Sequence, residues 1–261
     1  MKIMGILNVT PDSFSDGGRY VSLDQRIDHA IQMVADGADI IDVGGESTRP
    51  GAEAVTEAEE LARVIPVIER LRQVVDVPIS IDTYKAEVAR QAIQAGASMI
   101  NDVGGAKFDP EMPRVMAESG ATVILMHNRP KEAFGAYRSV TSEVVEELRS
   151  SVELVLKAGV NPKKIILDPG IGFGKTIPQS IEVLKNLHQL KLLGYPLLLG
   201  ASKKGTLREL MEDDDKALLG IGTVAMTCYA YERGINYVRI HDVKENVCAL
   251  HVMKNLSYNS R

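Results

Sequence analysis

The chain is short of cysteine, of net positive charge and of long apolar runs, and each shortage closes off a class of function. Among 261 residues there are only two cysteines, Cys228 and Cys248. Neither stands in a Cys-x-x-Cys or Cys/His ligand spacing, which disfavours a disulfide framework or a structural zinc site and leaves two reduced thiols as the expectation. Lys and Arg number 30 against 35 Asp and Glu, for a net charge of -5. That balance argues against a general nucleic-acid binder. No stretch approaches the ~18 uninterrupted apolar residues of a membrane span. The apolar start, Met1 to Val9, lacks the length and cleavage site of a signal peptide. A soluble cytoplasmic protein without a membrane partner is expected. There is no Walker motif and no Gly-x-Gly-x-x-Gly after the first strand pattern, so ATP and NAD lose their main support.

What is present is a regular alternation. Short, continuously apolar runs suit strands covered on both faces: Ile3–Leu7, Ile40–Val43, Pro78–Ile81, Met99–Ile100, Thr122–Met126, Ile165–Leu167, Pro196–Leu199 and Tyr237–Ile240. Helical patterns lie between and after them, near Leu23–Asp36, Glu57–Val75, Lys85–Ala95, Pro110–Ser119, Glu143–Ala158, Ser180–Leu193, Lys216–Glu232 and Lys244–Lys254. Gly37, Gly96, Gly120, Gly159, Gly194 and Gly234 follow the helical runs, where glycine supplies a left-handed stop. Eight βα units without a Pro/Gly/Ser-rich linker predict one domain over residues 1–261. Its expected form is a (β/α)₈ TIM barrel with long loops after strands 1 and 2; a doubly wound open sheet is the runner-up.

In a barrel the residues that end each strand converge on one face. Here they are Asn8; the Gly44–Gly51 loop; Asp82-Thr83; Asn101-Asp102; His127-Asn128; Asp168-Pro169-Gly170; Ser202-Lys203-Lys204; and Arg239, His241 and Asp242. All eight ends are polar or charged, which predicts a shared site. Asp82, Asn101 and Asp168 are short, rigid groups suited to reading the edge of a heterocycle. For Asp82 and Asn101, capping of the following helix is the equal alternative. Arg49, Lys204, Arg239 and His241 can pool positive charge against a phosphate or pyrophosphate. Asn8 offers a neutral oxygen for Mg²⁺ that is held mainly by substrate phosphates and water. The loops Asn8–Gly18 and Gly44–Ala54 exceed the usual βα connection and are candidate lids, with Phe14 as an aromatic that needs something to cover. His127 divides evenly between the site and a structural role; His29, His188 and His251 read as structural.

These motifs, in this order, resemble the dihydropteroate synthases of the pterin-binding superfamily. The signatures are Asn8-Val9-Thr10-Pro11-Asp12-Ser13-Phe14-Ser15-Asp16-Gly17-Gly18, Asp42–Gly51, Ser80-Ile81-Asp82-Thr83, Ile100-Asn101-Asp102, Asp168-Pro169-Gly170-Ile171-Gly172-Phe173-Gly174-Lys175 and Arg239-Ile240-His241-Asp242-Val243. The resemblance implies condensation of a dihydropterin pyrophosphate with 4-aminobenzoate, by a dissociative route assisted by Mg²⁺, in a homodimer. It implies a pterin pocket of Asp82, Asn101, Asp168 and Lys204, flanked by Phe173. Asn8, Arg49, Arg239 and His241 would form the pyrophosphate and Mg²⁺ site. Phe14, Thr48 and Pro50 would wall the 4-aminobenzoate. One departure stands out: where the family usually reads Ser-Arg-Lys-Ser, this chain has Ser202-Lys203-Lys204-Gly205, which predicts altered aminobenzoate binding. A non-catalytic pterin-binding paralogue is the alternative function.

Overall fold

The computed structural model describes residues 1–10, 22–47 and 55–256. Eight strands form one parallel sheet: β1 (Lys2–Asn8), β2 (Ile40–Gly44), β3 (Ile79–Asp82), β4 (Met99–Asp102), β5 (Thr122–Met126), β6 (Ile165–Asp168), β7 (Leu198–Leu199) and β8 (Tyr237–Ile240). The hydrogen-bonded order runs β6-β5-β4-β3-β2-β1-β8-β7. A single parallel bridge between Leu167 and Leu197 joins the two remaining edges. The Leu167 N–H donates to Pro196 O at 2.9 Å, so the sheet closes on itself into a barrel. The open-sheet alternative is thereby excluded.

Helices interleave with the strands as the periodicity predicts: α1 (Leu23–Ala35), α2 (Glu57–Leu71), α3 (Ala86–Ala95), α4 (Met112–Ser119), α5 (Val140–Ala158), α6 (Ile177–Lys185), α7 (Leu187–Lys191), α8 (Gly205–Met211), α9 (Leu219–Glu232) and α10 (Val243–Leu256). Local chemistry sets several of their ends. Ser22 with Gln25, Thr56 with Glu59 and Thr176 with Gln179 form reciprocal capping boxes. The six glycines read as stops all have positive φ. α5 begins three residues before the expected Glu143, because that carboxylate reaches back to the Arg138 and Ser139 N–H groups and caps the turn from within. The run expected as one helix over Ser180–Leu193 is broken at Asn186, whose side-chain amide donates to Glu182 O and competes with the backbone ladder. α8 is absent from the sequence reading: seven residues give too little periodicity to register.

Side chains alternate between the barrel interior and the helix layer. Most of the apolar core lies between strands and helices, whereas Met4, Ile40, Met99, Ile124, Ile166 and Leu198 pack as a separate cluster, with Tyr237 against it. These are inward positions of their strands and form an apolar floor. Two residues further along, the same inward register reaches Asp42, Asn101, Asp168, Gly200 and Arg239, with Asp82 entering from β3. The floor is apolar and the layer above it carries the polar groups. The connections after β1 and β2, residues 9–22 and 45–56, are long as expected; most of both falls outside the described residues.

Candidate active site

The polar layer is a connected network. Arg239 sits at its centre: its Nε donates to Asp42 Oδ2 and an Nη to Asp82 Oδ2, both at 2.6 Å. The Asn101 amide donates to the same Asp42 oxygen at 3.1 Å. Asp42 is fully buried, and its Oδ1 has no hydrogen-bond partner among the described residues. Burial pushes Asp82 up to about 7; Arg239 opposes that shift, while the carboxylates of Asp42, Glu60 and Asp102 add to it. Arg239 itself is driven upward by Asp42 and Asp82 against the cost of its own burial. Asp82 and Asn101 thus bond across the barrel mouth and not to the helix that follows each strand. Asp102 plays the local role instead, accepting from the Gly104 and Ala106 N–H groups at 2.6 Å.

Across the mouth, Asp168 accepts from the Gly170 N–H at 2.7 Å. Burial raises its pKa, and Lys204, the Gly170 N–H, Arg239 and Lys175 oppose the rise. A Cβ added at Gly200 would stand 3.3 Å from Asp168 Oδ2 and 3.9 Å from Arg239 Cβ, so β7 leaves open the space between the two groups. The Lys204 Nζ donates to Ile171 O at 2.5 Å and lies 4.3 Å above the centre of the Phe173 ring. Burial lowers Lys204 to about 8, with Asp168 as the chief opposing influence. The glycine-rich segment after β6 follows a path that only glycine permits at its start. Gly170 has φ +63°, and a Cβ there would meet His127 O at 1.9 Å.

The remaining expected groups ring this centre. His241 Nδ1 and Ser202 Oγ share a hydrogen bond of 2.9 Å, and the His241 N–H donates to the same hydroxyl at 3.2 Å. Lys203 pairs with Asp242 at 2.7 Å. Asn8 Oδ1 and Asp82 Oδ2 flank Gly44, lying 3.8 and 3.5 Å from where its Cβ would be. Phe14, Thr48, Arg49 and Pro50 lie outside the described residues. The expected pool of cations is thus interleaved with carboxylates: Arg239 and Lys204 are held among Asp42, Asp82 and Asp168 rather than presented as a bare positive patch.

Two parts of the site escaped the sequence reading. Asp42 was seen only as the start of a motif, yet it joins Arg239 to Asn101; its signal was a single carboxylate inside the apolar run Ile40-Ile41-Asp42-Val43. Lys175 was seen only as the end of a glycine-rich loop, yet it is buried beneath that loop. His127 resolves to a structural role, bonded to Lys175 and Glu147. Among the described residues, no group of three or more His, Cys, Asp or Glu could hold a metal by itself, and no helix is long and apolar enough to cross a membrane.

Residues 4–241 match the pterin-binding enzyme family. The dihydropteroate synthase of Bacillus subtilis (strain 168) is 51% identical over 245 residues, 93% of this chain and 84% of that protein. The dihydropteroate synthase of Xanthomonas albilineans solved with 4-aminobenzoic acid superposes with a TM-score of 0.93 at 42% identity, covering 98% of this chain and 93% of that one. The same enzyme in complex with 7,8-dihydropteroate gives a TM-score of 0.89 at 39% identity, covering 98% and 94%. With the family match over residues 4–241 and this identity running through the chain, the protein belongs to the pterin-binding enzyme family, among its dihydropteroate synthases.

Proposed function

We propose that this chain condenses 6-hydroxymethyl-7,8-dihydropterin pyrophosphate with 4-aminobenzoate, giving 7,8-dihydropteroate and pyrophosphate. The observation that carries this reading is the polar layer above the apolar floor, where Asp168, Asn101, Asp82 and Lys204 come together around Arg239. Asp168, with acceptor capacity beyond its bond to Gly170, takes the N–H groups of the pterin's amidine-like edge. Asn101 is oriented by Asp42 to read the neighbouring edge. Lys204 and Phe173 close one side of the ring pocket.

The carbon–oxygen bond to pyrophosphate breaks first, leaving positive charge on the pterin methylene. Arg239 and His241, with Arg49 from outside the described residues, bind the departing anion, and the Asp82 carboxylate stabilises the developing cation. The neutral arylamine then attacks without needing a general base, and the ammonium so formed gives up one proton to water. Phe14, Thr48 and Pro50 are assigned to the aminobenzoate by resemblance. Asn8 Oδ1 is a hard neutral oxygen at the end of β1 that suits Mg²⁺ held mainly by substrate phosphates and water. Bound there, Mg²⁺ would neutralise charge on the leaving pyrophosphate.

A homodimer is supported by α9 and α10, which carry Ile221, Val252 and Leu256 with most of their surface exposed. Sedimentation of the wild type and of Ile221→Lys tests that part. The deciding experiment for function is pyrophosphate release with both substrates, with and without Mg²⁺. Turnover requiring both substrates supports the synthase. Pterin binding without turnover would instead establish a non-catalytic paralogue.

A further inference from the structure

Lys175 has no role in the reaction as derived above, yet it is 3% exposed. Its Nζ meets three partners: Gly170 O at 3.0 Å, Phe173 O at 3.0 Å and His127 Nδ1 at 2.8 Å. The Nε2 of His127 lies 3.0 Å from Glu147 Oε2. Glu147 is bound as well by Arg129. Against its own partial burial, bonds from His127 and Arg129 hold Glu147 down at about 2, so it only accepts. Nε2 must therefore donate to it. With His127 neutral, Nδ1 is an acceptor, and all three Lys175 N–H groups have one partner each. Burial lowers His127 to about 4, so the ring takes no second proton at neutral pH and the lysine is the donor of the pair.

The carbonyls that Lys175 gathers belong to the segment that seats Lys204. Gly170 O and Phe173 O point to Lys175, while the intervening Ile171 O accepts from Lys204 and the Phe173 ring lies under the Lys204 ammonium. Gly172, at φ +80°, lets the chain turn between the two cations, and its Cβ would stand 3.4 Å from Lys204 Cδ. The underside of the loop rests on His127, whose carbonyl meets Gly170 and whose ring meets Lys175.

We infer that Lys175 is a positioning residue for the pterin site: it ties the Gly170 and Phe173 carbonyls to His127 and thereby holds the loop that orients Lys204. This rests on the reading of Lys204 as a pterin contact. A double-mutant cycle tests it, using calorimetric affinity for 6-hydroxymethyl-7,8-dihydropterin pyrophosphate. Lys175→Met should weaken binding about tenfold in the wild-type background and less than about twofold in a Lys204→Met background, since the lost interaction is then already absent. The KM for 4-aminobenzoate should not move. If Lys204→Met alone binds normally, the reading of Lys204 fails and the inference falls with it. If Lys204→Met binds weakly while Lys175→Met binds normally, or costs the same in both backgrounds, the inference alone is overturned. A wild-type measurement covers failure of the variants to fold: ¹⁵N NMR of His127 should show an unprotonated Nδ1 and a protonated Nε2, and a protonated Nδ1 would refute the arrangement.

Discussion

Arg239→Ala removes the cation that touches two buried carboxylates. Asp42 is 0% exposed and the Asp82 side chain 9%, each bonded to the guanidinium at 2.6 Å. Stripping one partner from such an arrangement costs about 3–5 kcal/mol, because the remaining charge stays out of water without compensation. Protonation can recover part of that loss. Asp82 in the wild type is raised to about 7, above its unfolded value, so its proton favours the folded state at low pH and that contribution is lost as pH rises through 7. Without Arg239 the largest opposing influence is gone, and the folded variant takes up this proton at higher pH than the wild type does. The stability gap should therefore be widest near pH 9. It should narrow by up to about 1.4 kcal/mol per pH unit down to about 7, then stay level as both proteins gain equally. Urea unfolding followed by far-UV circular dichroism at several pH values measures the gap. A gap below about 1 kcal/mol at pH 8.5, or one that widens toward pH 7, would refute the assignment of Arg239 as the compensating charge. In ligand binding, the same variant should lose affinity for the pterin pyrophosphate while retaining it for pyrophosphate-free pterin. Equal losses for both would place Arg239 elsewhere.

Asp168→Asn should weaken pterin binding by roughly 10- to 150-fold, the worth of about 1.5–3 kcal/mol in charge-assisted hydrogen bonds; calorimetry showing unaltered affinity would contradict the role. Gly205→Ser should tighten 4-aminobenzoate binding measured with pyrophosphate and Mg²⁺ present. The nearest atom to a Cβ there is Arg208 Nη2 at 3.6 Å, so the variant is sterically free and an unchanged affinity would count directly against the idea. Gly170→Ala should lower the melting temperature and abolish pterin binding together, because the new methyl would meet His127 O at 1.9 Å on a backbone already at φ +63°. A melting point within a degree or so of wild type would show that the loop has another stable path.

Most of the architecture was legible because its signals are local. Largely apolar runs marked all eight strands and glycines marked helix ends. Where local signals compete or run short, the reading lost detail: Asn186 splits a helix by bonding its own backbone, and α8 is too brief to show a period. The strand-end rule found Asp82, Asn101, Asp168, Lys204 and Arg239 as members of one face. It did not separate caps from site groups, since an Asp after a strand reads the same either way. Asp102 and Asp82 make the point: one accepts from its own turn, the other from an arginine 157 positions away.

The sequence alone determined the alternation that folds into a barrel and the set of residues that reach its mouth. Periodicity and turn chemistry operate over a few residues and survive without tertiary context. Only the folded barrel decided who pairs with whom. Pairing of the last strand, β8, with the first, β1, puts Arg239 beside Asp42 and Asp82, while Leu167 and Leu197 close the remaining gap between β6 and β7. That pairing turned an expected cluster of free cations into a neutralised network. The same long-range packing placed Lys175 beneath the loop it terminates. Ionic partners in a closed barrel come from strands far apart in the chain, and their energies depend on burial that only the assembled mouth creates.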